Sequence, residues 1–286
     1  MSKPAFIHTA RRHFHHQLST HLLTLNGGIP SIADRKNGAS IRIATSIMEQ
    51  LGSATSAVKL AAQTAGNEFE NICAEFIEAT FLKLQHIRPG AWQVVRLSQG
   101  DRIGIARYEQ YAHLSAIAQA CKGNTQLATT IGTGYLICPD IVVLRQPESD
   151  ESINKSEMLV DDSIARLTGM RASNGGLPLI HASISCKFTL RSDRAQNARS
   201  EALTLIRNRK GRAPHIAVVT SEPLPSRLSS LALGTGDIDC VYHFALPELR
   251  RAVTAEGNED SQEALEIMVE GKRLRDISDL PMDLAV

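Results

Sequence analysis

Several things this chain lacks narrow its class before any motif is read. Its five cysteines, Cys73, Cys121, Cys138, Cys186 and Cys240, are odd in number, scattered, and nowhere spaced C-x-x-C. That argues against a disulfide framework or a cysteine zinc site and suits a reducing cytoplasm. No apolar run approaches the ~18 residues of a membrane span. The opening "MSKPAFIHTARRHFHHQL" is polar and basic and has no apolar signal-peptide core. The expectation is therefore a cytoplasmic protein without a membrane partner. Internal repeats, low-complexity tracts and a clear linker are also missing. With 286 residues, 43% of them hydrophobic, the expectation is one domain with a sizeable core: a helical N-terminal part at about 1–130 and an α/β core at about 131–250.

Net charge is only +1, which by itself points to no polyanion. Its distribution is uneven. Between Lys187 and Arg212 stand eight basic residues (Lys187, Arg191, Arg194, Arg199, Arg207, Arg209, Lys210, Arg212) against two acidic ones, Asp193 and Glu201. A local basic field in a near-neutral protein fits a polyanion-binding face. A solvated helix studded with arginines is the plainer reading of the same charges.

The first 60 residues read as helical, interrupted by a loop at "NGGIPSIADRKNGAS". His8, His13, His15 and His16 lie in an arginine-bearing amphipathic stretch without carboxylate partners, a poor metal site. "GNEFENICAEFIEATFLKLQHI" is a strong amphipathic helix with Phe69, Cys73, Phe76, Ile77 and Leu84 on one face. Asn67 is its expected N-cap, with Glu70 three residues on as a capping-box partner. "RYEQYAHLSAIAQAC" reads as a further helix, "YLICPDIVVLR" as a buried strand with Pro139 near its start, and "ESDESINKSE" as a polar loop.

"HASISCKFTL" alternates cleanly: Ala182, Ile184, Cys186, Phe188 and Leu190 are apolar, and Ser183, Ser185, Lys187 and Thr189 polar. Ser185 and Lys187 thus share one face of a strand. Ser192 can cap the helix that follows, roughly 193–209, and Gly211 can end it. On that helix Arg194, Ala198, Glu201 and Leu205 form one stripe. "HIAVVT", "PSRLSSLAL" and "DCVYHFALPEL" add a strand, a short helix, and a strand running into a helix. The order gives a mixed β-sheet flanked by helices, an α/β fold. "GTGD" at 234–237 reads as a turn, since no Walker lysine follows it.

Asp140 beginning one strand, Lys187 on the next and Glu201 on the adjoining helix form a chemically meaningful set. Carboxylates hold a divalent cation of the magnesium kind. Such a cation activates water and neutralises phosphate charge. A neighbouring lysine stabilises charge formed in the transition state. Each residue has a plainer reading too: Asp140 as a strand cap, Glu70 as a helix cap, Lys187 as a solvated side chain, Glu201 as the partner of Arg194 or Arg199.

At these residues the sequence resembles a known family. "PD" at 139–140, "SCK" at 185–187 and Glu201 are similar to the PD-(D/E)xK nuclease pattern as it occurs in restriction endonucleases that cut around CCGG. The usual pattern has an acidic residue two before the lysine. Here Ser185 stands there, and the carboxylate is displaced to Glu201. "RSDR" at 191–194 is the recognition motif of the same group. "RRHFHH", "GNEFE", "KLQHIRPG", "HASISCK", "RSDRAQNARSE", "ALGTG", "DCVYHFAL" and "DISDLP" extend the resemblance over nearly the full length. The chain is identified as a member of the NgoMIV-type, type II restriction endonucleases.

That resemblance implies a restriction-endonuclease-like nuclease core and magnesium-dependent cleavage of double-stranded palindromic DNA, G/CCGGC, leaving 5′ CCGG overhangs. It implies a homotetramer of two dimers that works beside a cognate DNA methyltransferase. Two magnesium ions would be held by Asp140, the Cys186 main-chain carbonyl and Glu201. Glu70 would support them, Ser185 would line the site, and Lys187 would act on the phosphate. Arg191, Asp193 and Arg194 would read the inner CCGG, and Arg227, with Asp34 and Gln63, the outer pair. Arginine matches guanine O6 and N7, and a carboxylate matches the cytosine amino groups. A palindrome suits a two-fold dimer. Two alternatives stay open: a catalytically inactive sequence-specific DNA-binding protein, which the Asp140, Lys187 and Glu201 set argues against, and a repair or structure-specific nuclease on the same fold, which "RSDR" argues against.

Overall fold

The computed structural model describes residues 4–52, 62–97, 104–132, 138–234 and 236–286. Helix α1 (Phe6–His21) leads into a two-stranded ribbon, β1 (Leu25–Asn26) and β2 (Ile29–Pro30), then α2 (Gly38–Gln50) and α3 (Ala62–Phe81). Strand β3 (Trp92–Arg96) follows, then α4 (His113–Cys121), α5 (Thr125–Ile131), β4 (Ile141–Arg145) and α6 (Asp150–Ile153). The rest runs β5 (Leu179–Lys187), α7 (Ser192–Asn208), β6 (His215–Thr220), α8 (Pro225–Ala232), β7 (Cys240–His243), α9 (Leu246–Glu256), α10 (Glu259–Glu270), β8 (Leu274–Asp276) and α11 (Leu280–Asp283).

β3 to β8 form a six-stranded mixed sheet in sequence order. β3 pairs antiparallel with β4, β4 antiparallel with β5, and β5 to β8 are parallel. The parallel strands are joined by helical crossovers, which cover the faces and so require apolar residues on both. "IAVV" in β6 meets that demand, buried throughout, and "IVVL" in the antiparallel β4 is equally buried. The expected α/β class with a mixed sheet flanked by helices is what the chain adopts. Its strands extend beyond residues 131–250 on both sides, to β3 and β8. One hydrophobic cluster runs from Phe14 to Ala285. Arg11 on α1 ties the ends of the chain together: Nη2 meets Glu248 at 2.6 Å and Nε meets Asp276 at 2.8 Å.

Several local expectations are corrected. Asn67 is not an N-cap: α3 already runs at Ala62, so both Asn67 and Glu70 lie inside it. The stretch 24–38, expected to be a plain loop, holds the β1–β2 ribbon. Gly27 and Gly28 take φ of +59° and +79° there, the two positive angles that a tight two-residue hairpin requires. The helix expected over 107–121 begins only at His113, because Gln110 is used elsewhere. Its amide donates to the Ile180 carbonyl at 2.7 Å and accepts the Ile180 N–H at 2.9 Å, mimicking a strand neighbour for β5. The strand expected over 135–145 covers Ile141–Arg145, since Pro139 offers no N–H to a ladder; residues 135–137 lie outside the described residues. The polar loop near 150 contains one helical turn, α6, capped by Ser149. Helix α7 starts at Ser192 with Arg191 in the cap position, and Gly211 (φ +82°) lies in the turn beyond its end.

Candidate active site

The parallel strands end on one side of the sheet, where open α/β sheets place ligands. Lys187 ends β5 and pairs with Thr220, which ends β6. The antiparallel neighbours bring Ile141, at the start of β4, and Arg96, at the end of β3, to the same edge. Asp140 immediately precedes β4, so the pairing of Ile141 with Ile184 sets it beside residues 185–187. Helix α3 packs across β3 and β5, with Phe69 against Phe188 at 5.5 Å between ring centroids. That contact delivers the next residue, Glu70, to the same edge.

Asp140 is buried to 1% exposure. Its Oδ2 accepts from the Cys186 N–H at 2.7 Å, from Lys187 Nζ at 3.0 Å and, more distantly, from the Ser185 hydroxyl at 3.4 Å. The plainer reading of Asp140 as a strand cap thus describes only one of its bonds. The polar face of β5 is not a solvated face: Ser183 and Ser185 are buried, and Lys187 keeps 16% of its side chain exposed. Burial alone would depress the Lys187 pKa. The Asp140 and Glu201 carboxylates outweigh it, so the ammonium is held charged.

Glu70 accepts from Arg96 Nη2 at 3.3 Å. Burial, reinforced by Asp140, raises its pKa despite that guanidinium. Glu201 keeps some exposed surface, but burial still dominates at its carboxyl. Its pKa is pushed up to about 8, against the pull of Lys187 and with the repulsion of Asp140 and Glu70. Three carboxylates therefore share one field with two cations, Lys187 and Arg96. Among the described residues, no three His, Cys, Asp or Glu side chains are grouped so as to hold a metal ion between them. Asp140 is engaged with Lys187, and Glu70 with Arg96. The surface network suggested for Glu201 is not formed through Arg199. Arg199 pairs with Asp237 and donates from Nη2 to the Ser230 and Leu231 carbonyls at 3.1 and 3.0 Å, closing the end of α8.

The "RSDR" segment leaves β5 directly. Arg191 and Asp193 are exposed at the start of α7, and Arg194 is half-buried. Arg194 Nη1 donates to Thr189 Oγ1 at 2.9 Å and to its carbonyl at 3.2 Å, which orients the guanidinium. Arg227 and Asp34, far apart in sequence, form an ion pair. The Lys36 N–H, then Arg227, then the field of Arg191 hold the Asp34 carboxyl below the usual range. Arg191, Arg227 and Asp34, three of the residues named from sequence, are thus brought together beside Leu190. Gln63, exposed in the first described turn of α3, is not joined to them by any described bond.

Sequence reasoning missed Arg96, because "WQVVR" was not read as a strand, and Glu222, whose carboxylate is buried to 1%. The signal for Glu222 was its place just after "HIAVVT", at a strand end where polar groups collect. Around α1, His15 is buried and bonded to the Phe244 carbonyl at 2.7 Å, a core contact in line with the poor metal prospects of that histidine run. All five cysteines are free, and no helix among the described residues is long and apolar enough to cross a membrane.

The sequence profile of the NgoMIV restriction enzyme family matches residues 14–286. The type II restriction enzyme NgoMIV of Neisseria gonorrhoeae is 56% identical over 278 residues, covering 96% of this chain and 97% of that protein.

Proposed function

The chain belongs to the NgoMIV restriction enzyme family, and on that footing we propose that it is a type II restriction endonuclease cutting both strands of DNA at G/CCGGC to leave 5′ CCGG overhangs. The observation that carries this reading is the junction of β5 and α7. Within eight residues it joins a lysine bonded to a buried aspartate, Lys187 to Asp140 at 3.0 Å, to an exposed arginine–aspartate pair, Arg191 and Asp193, at a helix start. Cleaving and reading DNA at one place needs both halves.

The donor set fits magnesium, with two ions per site in this reading: all side-chain donors are oxygens, and the burial, reinforced by neighbouring carboxylates, that raises the Glu70 and Glu201 pKa values would be offset by a dication. Asp140, the Cys186 carbonyl and Glu201 would hold it, with Glu70 acting through water. Bound there, it would supply an activated water and neutralise phosphate charge. Lys187 leaves Asp140 for the phosphate oxygens as their charge grows. Ser185 lines the pocket and keeps its hydroxyl on Asp140.

Arg191 and Arg194 each present a fork for guanine O6 and N7, and Asp193 accepts from cytosine amino groups. Thr189 holds Nη1 of Arg194, and the edge formed by Nε and Nη2 would make that contact. Arg227 takes the outer pair, with Asp34 and Gln63 beside it. The palindrome is read by a dimer, two dimers make a tetramer, and a methyltransferase of the same specificity protects cellular DNA in the cytoplasm.

The test uses labelled duplexes carrying GCCGGC, ACCGGT or a scrambled site, incubated with magnesium or with a chelator. Cutting of GCCGGC alone, and only with magnesium, is expected. Equal cutting of all three, or specific binding without cutting, would overturn the reading.

A further inference from the structure

Residues 191–194 open α7, while Arg227 lies on α8 and pairs with Asp34 in the loop before α2, yet one buried side chain binds the backbone at the root of both helices. Glu222 accepts the Leu190 N–H at Oε2, 2.9 Å away, and the Leu224 N–H at Oε1, 3.2 Å away. Leu190 immediately precedes Arg191, and Leu224 immediately precedes α8, which carries Arg227. The clasp is closed from the other side. Arg227 Nη1 donates to the Leu190 carbonyl at 3.1 Å and stands 3.7 Å from Glu222 Oε2, while its Nη2 pairs with Asp34. Both polar groups of the Leu190 peptide are therefore held by the 222–227 segment.

The carboxylate is itself fixed from below. The Glu222 N–H donates to Thr220 Oγ1 at 3.2 Å, and the Glu222 carbonyl accepts from His243 Nε2 at 3.2 Å. The adjacent Ser221 hydroxyl donates to the Phe188 carbonyl, again joining β6 to the segment leading into "RSDR". Burial pushes the Glu222 pKa up to about 7, against the Leu190 N–H and Arg227, which favour its charged form. An acid kept at this depth is costly unless its bonds are needed.

We propose that Glu222 is a positioning residue that couples reading of the outer base pair to reading of the inner four, by fixing the Leu190 and Leu224 peptides relative to each other and to Arg227. This rests on the restriction-enzyme reading above. When Arg227 turns to DNA it releases the Leu190 carbonyl, so a base pair that Arg227 engages is felt at the root of Arg191. Without Glu222 the two helices report to the DNA independently, and a wrong outer pair no longer disturbs inner docking.

The experiment measures duplex affinity at pH 8 and one fixed salt concentration for wild type, Glu222→Gln, Arg227→Ala and the double variant. The DNAs are GCCGGC, ACCGGT and random sequence. Glutamine matches glutamate in size but can accept only one of the two amide protons. For Glu222→Gln the GCCGGC-to-ACCGGT affinity ratio should fall about tenfold, the scale of one bidentate base contact. Affinity for random DNA should change less than about twofold, because that binding sums phosphate contacts. The double variant should discriminate no worse than Arg227→Ala alone, since the two act as a unit. Should Glu222→Gln not fold by thermal melting, Glu222→Asp, which keeps the charge but can span only one amide, is read instead with the same expectation. An unchanged ratio, an equal loss on all three DNAs, or a double variant whose loss is the product of the single losses would overturn the proposal. A wild-type protein with no preference for GCCGGC would remove the underlying reading instead.

Discussion

Lys187→Ala separates the chemistry from the binding. Asp140 is 1% exposed and loses the Lys187 ammonium in this variant, keeping the Cys186 N–H at 2.7 Å and the weaker Ser185 contact. Removing one partner of a buried ion pair costs about 3–5 kcal/mol. Lys187 retains 16% exposure, which favours the lower end, about 3 kcal/mol. For a chain of this size that lowers the melting temperature of the metal-free protein by roughly 5 °C. The effect on cleavage is larger. In the proposed mechanism the ammonium serves charge that forms in the transition state, and losing one such donor costs about 10²–10³ in rate. Cognate affinity should stay within about threefold, because Lys187 contacts no base edge in this account. Single-turnover cleavage measured beside a gel shift, with melting curves for both proteins, gives all three quantities. Near-normal cleavage, or equal losses of binding and cleavage, would refute the reasoning.

Three further outcomes follow from the structure. Arg194→Ala should weaken cognate binding by about 1–3 kcal/mol or more and random-sequence binding far less, and Asp193→Asn should lose specificity while keeping or raising non-specific affinity; equal losses on both DNAs at one salt concentration would show that "RSDR" only grips phosphates. Sedimentation of the free protein should give a tetramer that cuts two-site plasmids faster than one-site plasmids, and a dimer cutting both equally would remove the tetramer. His243 should contribute a loss of stability as pH drops from about 6.5 to 4: burial lowers its pKa from 6.5 to about 4, so at this group the unfolded chain takes up the proton first and roughly 3 kcal/mol is lost across that window, opposed there by the raised Glu201 and Glu222 carboxyls. The test for His243 is denaturant unfolding across that window beside His243→Gln, able to keep the bonds to Ala245 and Glu222: wild type should lose stability relative to the variant as pH falls, and parallel profiles would contradict the assignment.

Strand β5 was legible because its period-two alternation is unbroken from Ala182 to Leu190, and the parallel core because "HIAVVT" and "CVYH" have no other use. What periodicity could not show was that the polar face of β5 is covered, since alternation records only that two faces differ. Helix α3 was found, but its start was misread at Asn67. A good cap residue and a downstream glutamate imitate a helix start, and only the fold shows that Glu70 lies mid-helix and faces Asp140. Strand β3 was missed because "WQVVR" is short and antiparallel, and Arg96 went with it. The Arg227–Asp34 pair spans most of the chain, so no local pattern could have joined those residues; the family resemblance named them, and the fold brings them into contact.

The account stands most directly on where the DNA is cut. Wild-type protein and Lys187→Ala, each incubated in magnesium with one long DNA of known sequence, are followed by sequencing every new end. The account predicts that wild-type ends all begin CCGGC with a 5′-phosphate, on both strands of each GCCGGC, and that the variant yields almost none. Ends at other sequences, ends spread without regard to sequence, or matching ends from the Lys187 variant would contradict it.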